Sequence, residues 1–471
     1  MTYLFYDIET SGLNKCFDQV VQFAAIRTDL EFNELERYNI FIKLNPDTVP
    51  SPGAFITHQI SLADLQNFGV CELEAIKKIH QLLNTPGTIS LGYNSLGFDD
   101  EFLRFSFYRN LLPPYTHQYA NQCGRMDLYP MIVLYYLFKN EILNWPERAN
   151  IISLKLEFLS ALNGLHGGTA HDALSDTEGV VELAKRLASD RKMWDYITGF
   201  FDKNIDKKRI SELPIAWQQD GLSYPEGIIF EGVFGAKNYF QSPVLGLGWH
   251  NHYKNQLLWL KLDTEKLVNL TSATIPTSFD IIYRKKIGEC GFLLPSNEKF
   301  SRYLSDERRQ RVAENKLWIE KNPQLFAELV NYHLEYKYPI VPNLDIDAAL
   351  YQNSFRNNSE EAWCRRFHVV DLKDKINLLN NVPTENLKSQ AIRVLGRNYH
   401  EDLPVKIGSE FDLYLAKVKD NDVESIPIDY RGRKHLTSSI ALQQIKELKQ
   451  NRDLDTMQLQ LLKELENLLT Y

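Results

Sequence analysis

The hydrophobic pattern changes its period along the chain. Strand-like runs at 3–8, 20–28, 38–44 and 88–93 come before stretches of helical spacing at about 99–110, 127–138, 153–163 and 173–189. The last of these carries Ala173, Leu174, Val180, Val181, Ala184 and Leu187, an apolar stripe along one side of a helix. Strands followed by helices predict an α/β domain reaching to about residue 188. A polar, basic stretch follows at 202–212. Between 226 and 300 the pattern becomes short strands broken by turns, as in "GIIFEGVFG", "NQLLWLKL" and "FDIIYRKKIG", and predicts a small β-rich domain. Helical spacing returns near 305. The final stretch, from about 436, is strongly helical and approaches a coiled-coil pattern without the length for one. The proline-rich "NPDTVPSPG" (45–53) reads as a loop inside the first domain.

A chain of 471 residues is too long for one ordinary domain. A hydrophobic fraction of 44%, with 24 Tyr and 25 Phe, suffices for real cores and excludes a disordered protein. No apolar run approaches the length of a bilayer span, and the opening MTYLFYDIET has no basic region of a secretory signal. The expectation is no membrane association and a cytoplasmic location. Five scattered cysteines without a CxxC pair read as reduced thiols. A net charge of −8 argues mildly against nucleic acid, but the basic residues cluster locally. Examples are Lys203, Lys207, Lys208 and Arg209, and Arg308, Arg309 and Arg311; any one cluster also fits a solvated helix face.

Three places carry candidate chemistry. In "YLFYDIETSGL" (3–13), strand alternation puts Phe5, Asp7 and Glu9 on one side and Leu4, Tyr6 and Ile8 on the other. Carboxylates two residues apart on a strand, about 6–7 Å between Cα atoms, can converge on hard cations about 3.5–4 Å apart. The competing reading is an exposed strand face. In "GYNSLGFDDEFLRF" (92–105), Asp99 or Asp100 is either a helix cap or a further acid aimed at the same cations. In "AHDALSDTEGVVELAKRL" (170–187), Asp172 is placed to cap a helix, Asp176 to act as a ligand and His171 as a general base.

In this order, D-x-E, then N-x-x-x-F-D, then H-x-x-x-x-D, the chain resembles the histidine-bearing DEDD superfamily of 3′→5′ exonucleases. The segments "YDIETSGL", "LGYNSLGFDDEFLRFSFYRN", "SLKLEFLSALNGLHGGTAHDALSD" and "FEGVFGA" narrow the resemblance to the bacterial exonuclease I family. It covers the whole chain in layout and is strongest over 3–188. It implies a ribonuclease H-like α/β exonuclease domain (1–188), an SH3-like β domain (192–345) and an α-helical C-terminal domain (349–471). It also implies processive 3′→5′ digestion of single-stranded DNA to nucleoside 5′-monophosphates, with roles in DNA repair and recombination.

Carried over residue by residue, the resemblance makes Asp7, Glu9, Asp99 and Asp176 the catalytic acids and His171 the base. Asp7, Glu9 and Asp176 would hold two Mg²⁺ ions, replaceable by Mn²⁺. Glu9 and Lys155 would meet the substrate; the family commonly has arginine where Lys155 stands. Arg104, Tyr115, Tyr119, Lys203 and Asn255 would touch the strand. "GECG" (288–291) replaces the family's usual Asn-Lys-Cys-Pro. The implied partner besides DNA is the acidic C-terminal tail of single-stranded DNA-binding protein, with Arg308, Arg309 and Arg311 as candidate receptor, and the implied state is a monomer. The alternatives are an RNA-trimming DEDD exoribonuclease and a non-catalytic single-strand-binding protein.

Overall fold

Alternation along the opening stretch produces β1 (Thr2–Thr10) in the computed structural model, which describes residues 1–165, 173–219, 221–419 and 426–470. β1 is the middle strand of a five-stranded sheet with β2 (Val20–Thr28), β3 (Glu34–Phe41), β4 (Thr88–Gly92) and β5 (Gly124–Asp127), in the order β3-β2-β1-β4-β5. β1 runs antiparallel to β2 and parallel to β4. The chain divides into two units: described residues 1–125, 173–178 and 340–470 form the first, and 126–165 and 179–339 the second.

In the first unit, short helices α1 (Pro52–His58) and α2 (Leu62–Phe68) precede α3 (Glu72–Leu83). α4 (Asp99–Arg109) follows β4. One sheet face, with Leu4, Tyr6, Ile8 and Phe23, packs against Ile76 and Ile79 of α3 and Phe102, Leu103 and Phe107 of α4. Each such burial contributes about 1.5–3 kcal/mol. Arg27 stitches the sheet together: its buried guanidinium donates to Glu36 (2.9 Å), Thr2 (3.0 Å), Thr88 (2.8 Å) and the carbonyl of Leu82 (2.9 Å).

The second unit holds α5 (Leu128–Phe138), the small hairpin β6 (Glu147–Arg148) and β7 (Ile151–Ile152), and α6 (Leu156–Asn163). α7 (Ala173–Ala188) begins in the first unit and continues in the second. α8 (Arg191–Thr198) and α9 (Lys203–Ser211) lead into the β-rich region. There β8 (Ile215–Gln219), β9 (Leu222–Phe230), β10 (Gln241–Trp249), β11 (Gln256–Lys261), β12 (Ile282–Lys286) and β13 (Phe292–Pro295) form an antiparallel sheet ordered β12-β11-β10-β9-β13, with β8 on β9. After the short α10 (Glu298–Ser301), α11 (Asp306–Lys321) and α12 (Pro323–Glu335) bury Ile319, Phe326 and Leu329 against Leu245, Leu258 and Leu260. The "GECG" turn is held from beneath. Fully buried Lys285 pairs with Asp206 at 3.0 Å and donates to the Glu289 carbonyl at 3.1 Å, while Gly288 N–H donates to Asp206.

The chain returns to the first unit with α13 (Asn358–Val369), α14 (Leu372–Leu378), α15 (Glu385–Tyr399) and α16 (Val405–Lys419). Trp363, Phe367, Ala391, Leu395 and Phe411 share a core with Leu73 and Leu111. The final helices, α17 (Ser438–Asn451) and α18 (Thr456–Thr470), do not stand apart as a coiled coil. Ile445, Leu462 and Leu465 pack on Val21, Phe55, Ile56 and Leu65. Among the described residues no helix is long and apolar enough to cross a membrane.

Candidate active site

The strand places Asp7 and Glu9, both half-buried, on the sheet face opposite the Leu4–Tyr6–Ile8 core. Asp7 stands beside Ala24, whose small side chain leaves room next to the carboxylate. The β1–β2 register slips between Glu9 and Thr10. Such a bulge re-aims side chains at the end of a strand.

β4 ends at Gly92, where a Cβ would come within 2.7 Å of the Tyr6 carbonyl. Only glycine lets the two parallel strands end this close. Asn94, in left-handed backbone (φ 60°), turns the chain toward α4. Asp99, 6% exposed, is the first residue of that helix. It therefore follows the strand next to β1.

Asp176 lies half-buried in the first turn of α7. Two residues on, Glu178 forms an ion pair with Arg37 of β3. Arg37 is level with Ile26, and Ile26 with Phe5, so all three share the face of Asp7 and Glu9. The turn carrying Asp176 thus lies over the sheet face that presents the two β1 acids. His171 and Asp172 lie outside the described residues. Among the described residues no group of three or more His, Cys, Asp and Glu side chains closes into a ready metal cluster. Asp7 and Glu9 lie on the sheet, Asp99 follows the strand beside theirs, and Asp176 lies in the first turn of α7.

The structure separates Asp99 from Asp100. Asp100 is 1% exposed and accepts from His117 (2.9 Å), Arg104 (3.1 Å) and Arg125 (2.5 Å). Burial alone would raise its pKa, but Arg125, Arg104 and His117 hold it well below the usual carboxylate range. Burial depresses the pKa of His117. Asp100 is thus a structural anion. Asp100→Asn should lower the unfolding free energy by about 3–5 kcal/mol, because it leaves buried cations uncompensated.

Of the residues expected to touch the strand, Arg104 is buried against Asp100 and lies 5.9 Å from the Tyr115 ring. Tyr115 is half-buried and Tyr119 is 65% exposed. In the second unit, exposed Lys155 precedes α6, its ammonium 3.8 Å from Glu157. Lys203 and Asn255, both exposed, flank one turn. A Cβ on Gly288 would meet Lys203 at 2.8 Å, and Ile287 N–H donates to the Asn255 carbonyl at 3.3 Å.

The arginine cluster of α11 is not a free receptor. Arg308, 13% exposed at its side chain, pairs with Asp263 and donates to the carbonyls of Asn238 (3.1 Å) and Gln241 (2.6 Å). Arg309 donates to the carbonyls of Leu304 and Ser301, and Arg311 pairs with Glu265 and Glu307. All three arginines therefore have partners within the chain.

One contribution has no sequence signal. Glu101 of α4 accepts from Tyr351 (2.8 Å), Tyr430 (3.3 Å) and Lys15, and Lys15 also donates to the Gly97 carbonyl at 2.6 Å. The C-terminal segment therefore braces the turn that presents Asp99.

A mixed five-stranded sheet with acids on its first strand, after its parallel neighbour and on a late helix defines a nuclease-like α/β class. A family model described as "Exonuclease" matches residues 4–184. The exodeoxyribonuclease I of Escherichia coli (strain K12) is 31% identical over 385 residues, 77% of this chain and 78% of that protein. The chain belongs to the exodeoxyribonuclease I family. The zinc-ion-bound complex of E. coli exonuclease I with single-stranded DNA superimposes with a TM-score of 0.85 at 26% identity, covering 100% of both chains. A structure of exonuclease I with SSB and an inhibitor gives a TM-score of 0.81 at 25% identity, covering 100% of this chain and 99% of that one.

Proposed function

We propose that the protein digests single-stranded DNA from a free 3′ end, processively, and releases nucleoside 5′-monophosphates. The observation that carries this reading is the placing of Asp7, Glu9 and the Asp176 turn over one sheet face, with Asp99 after the adjacent parallel strand. Family membership and the DNA-bound relative support it. Asp7, Glu9 and Asp176 would hold two Mg²⁺ ions, with Asp99 assisting, and Mn²⁺ would substitute. The donor set is entirely hard carboxylate oxygen, which suits these ions. When bound, the ions neutralise charge on the transferred phosphate.

His171 would take the proton of the attacking water. Lys155 would meet a phosphate as a point charge, without the fork of an arginine. Arg104, Tyr115, Tyr119, Lys203 and Asn255 would hold the strand. We assign the exonuclease role to 1–188, an SH3-like role to 192–345 and a helical role to 349–471, in a monomer. Five free cysteines fit a reducing cytoplasm. Linear and circular single strands of one sequence test the polarity claim. The linear strand should disappear as mononucleotides while the circle persists; nicking of the circle would contradict an end-directed enzyme.

For the acidic tail of single-stranded DNA-binding protein, the better receptor is a pocket of about 500 Å³ in the second unit. Leu134, Phe138, Met193 and Phe300 line its apolar part; around them lie Lys192, Lys299, Lys139, which pairs with Asp190 at 2.7 Å, and Arg302, which donates to the Leu137 carbonyl. The basic rim matches an acidic peptide. Lys192→Glu with Lys299→Glu should weaken binding of the tail peptide at least about tenfold and leave digestion of naked DNA unchanged. Unchanged peptide binding by calorimetry would remove this pocket.

A further inference from the structure

The loop that leaves β1 carries one cation, Lys15, and its side chain crosses to the start of α4. The ammonium donates to the Gly97 carbonyl at 2.6 Å and pairs with the Glu101 carboxylate. Gly97 comes two residues before Asp99 and Glu101 two residues after it. Lys15 therefore grips the chain on both sides of a candidate catalytic acid. It also lies 5.9 Å from the ring of Phe98, the residue just ahead of Asp99. Both side chains of the ion pair are 15% exposed, so salt and water screen it little. All these residues belong to the first unit.

Such a grip transmits position only if the loop itself is held. Ser11 N–H donates to the Gln19 carbonyl at 2.8 Å, and Asn14 N–H donates to the Asp18 carboxylate at 2.7 Å. Cys16 N–H donates to the Asn14 side chain at 3.1 Å, so the residues on either side of Lys15 are both tied down. A Cβ on Gly12 would clash with the Asp18 carboxylate, so the turn closes tightly on that acid. Lys15 is thereby fixed relative to Glu9, six residues earlier on the same chain. Helix stability alone gives no reason for the contact, because a cation beside a helix N-terminus opposes the helix dipole. Nor does the helix fix its own start: Phe98 stands at the N-cap and gives no side-chain bond to the first turn. The tie to Lys15 sets that start from the β1 side.

We propose that Lys15 is a positioning residue: by holding Gly97 and Glu101 it sets the separation of Asp99 from Asp7 and Glu9, and with it the fit of the divalent ions these acids would share. The proposal rests on reading the acids as the metal-holding set of an exonuclease. Groups that orient metal ligands from behind matter about 10–100-fold in metal affinity or activity.

The test uses full-length protein, with Mn²⁺ as the probe. Its binding is followed without DNA by electron paramagnetic resonance, beside digestion of a labelled oligonucleotide. Lys15→Met keeps the length of the side chain and loses its donors. It should weaken Mn²⁺ binding and lower kcat, each about tenfold or more, and leave KM for the strand unchanged. In Asp99→Asn protein the same substitution should cost no further Mn²⁺ affinity, because Lys15 acts through Asp99. Lys15→Arg, which keeps donors for both acceptors, should restore affinity and kcat. Urea unfolding in EDTA confirms that each variant is folded. Should Lys15→Met not fold, Glu101→Gln carries the same test, since it weakens the pair and keeps an acceptor for Tyr351 and Tyr430. Wild-type Mn²⁺ affinity in folded Lys15→Met, or an equal loss with and without Asp99, would overturn the proposal. The wild type separates the two readings. Mn²⁺ bound with the Lys15 dependence, beside a strand that is never shortened, would leave the positioning role standing and sink the exonuclease.

Discussion

Asp7→Asn protein is expected to retain less than about one-thousandth of wild-type digestion of single-stranded DNA, at a nearly unchanged thermal midpoint. Losing one group that stabilises charge in a transition state costs about 10²–10³ in rate. A carboxylate that would hold a metal ion should cost more, because the ion would supply further neutralisation of charge on the transferred phosphate. Asn keeps the shape of Asp at a half-buried strand position beside Ala24, so the fold has little to lose. Glu9→Gln and Asp176→Asn should follow the same pattern. Initial rates on a labelled oligonucleotide, read beside thermal unfolding, check it; normal turnover in Asp7→Asn would end the metal assignment.

Arg397→Ala should produce the reverse signature, a loss of about 3–5 kcal/mol in stability. Arg397 is buried and donates to Asp47 (2.8 Å through Nε) and to Asp347 (2.6 Å). Arg393 joins the group through Asp345 (2.6 Å) and Asp347 (3.0 Å), and Tyr414 donates to Asp47 at 3.0 Å. The network ties the 45–53 loop to α15 and α16. Removing one arginine leaves buried carboxylates uncompensated.

The pH dependence follows from the carboxylates. Burial alone would raise Asp347, but Arg397 and Arg393 hold it well below the usual range, and Arg397 likewise lowers Asp47. A carboxylate depressed in the folded state stabilises above its unfolded pKa of about 3.9. That stabilisation disappears as pH falls through the folded value. The difference between wild type and Arg397→Ala in urea should be large at pH 7 and shrink as pH drops below 4. A difference that stays constant with pH would contradict the electrostatic account.

The sequence made the strongest periodic elements readable. β1, β2, α4 and α7 appear within two residues of where alternation and helical stripes put them, because each buries one well-marked face. β5 was missed because "GRMD" is four residues long and shows no alternation. Residue types alone left Asp99 and Asp100 open, and only the resemblance chose Asp99, because two of the three partners of Asp100, His117 and Arg125, lie 17 and 25 residues away. The arginines of α11 looked like a receptor for the same reason: the Asp263 that neutralises Arg308 is 45 residues distant. Charge runs show their sign in sequence and hide their partners. Tyr351 and Tyr430 reach Glu101 from 250 and 329 residues along the chain, beyond any local pattern. The roles of the acids came from their order and from resemblance, not from any single motif.

The most direct test of the central claim uses one single-stranded DNA oligonucleotide, 5′-labelled in one tube and 3′-labelled in another, with Mg²⁺ and then with EDTA, beside the matching RNA. The account predicts that the 3′ label leaves at once as a mononucleotide, the 5′-labelled strand shortens progressively and EDTA stops both. Early release of the 5′ label, digestion that continues in EDTA, or shortening of the RNA alone would contradict it.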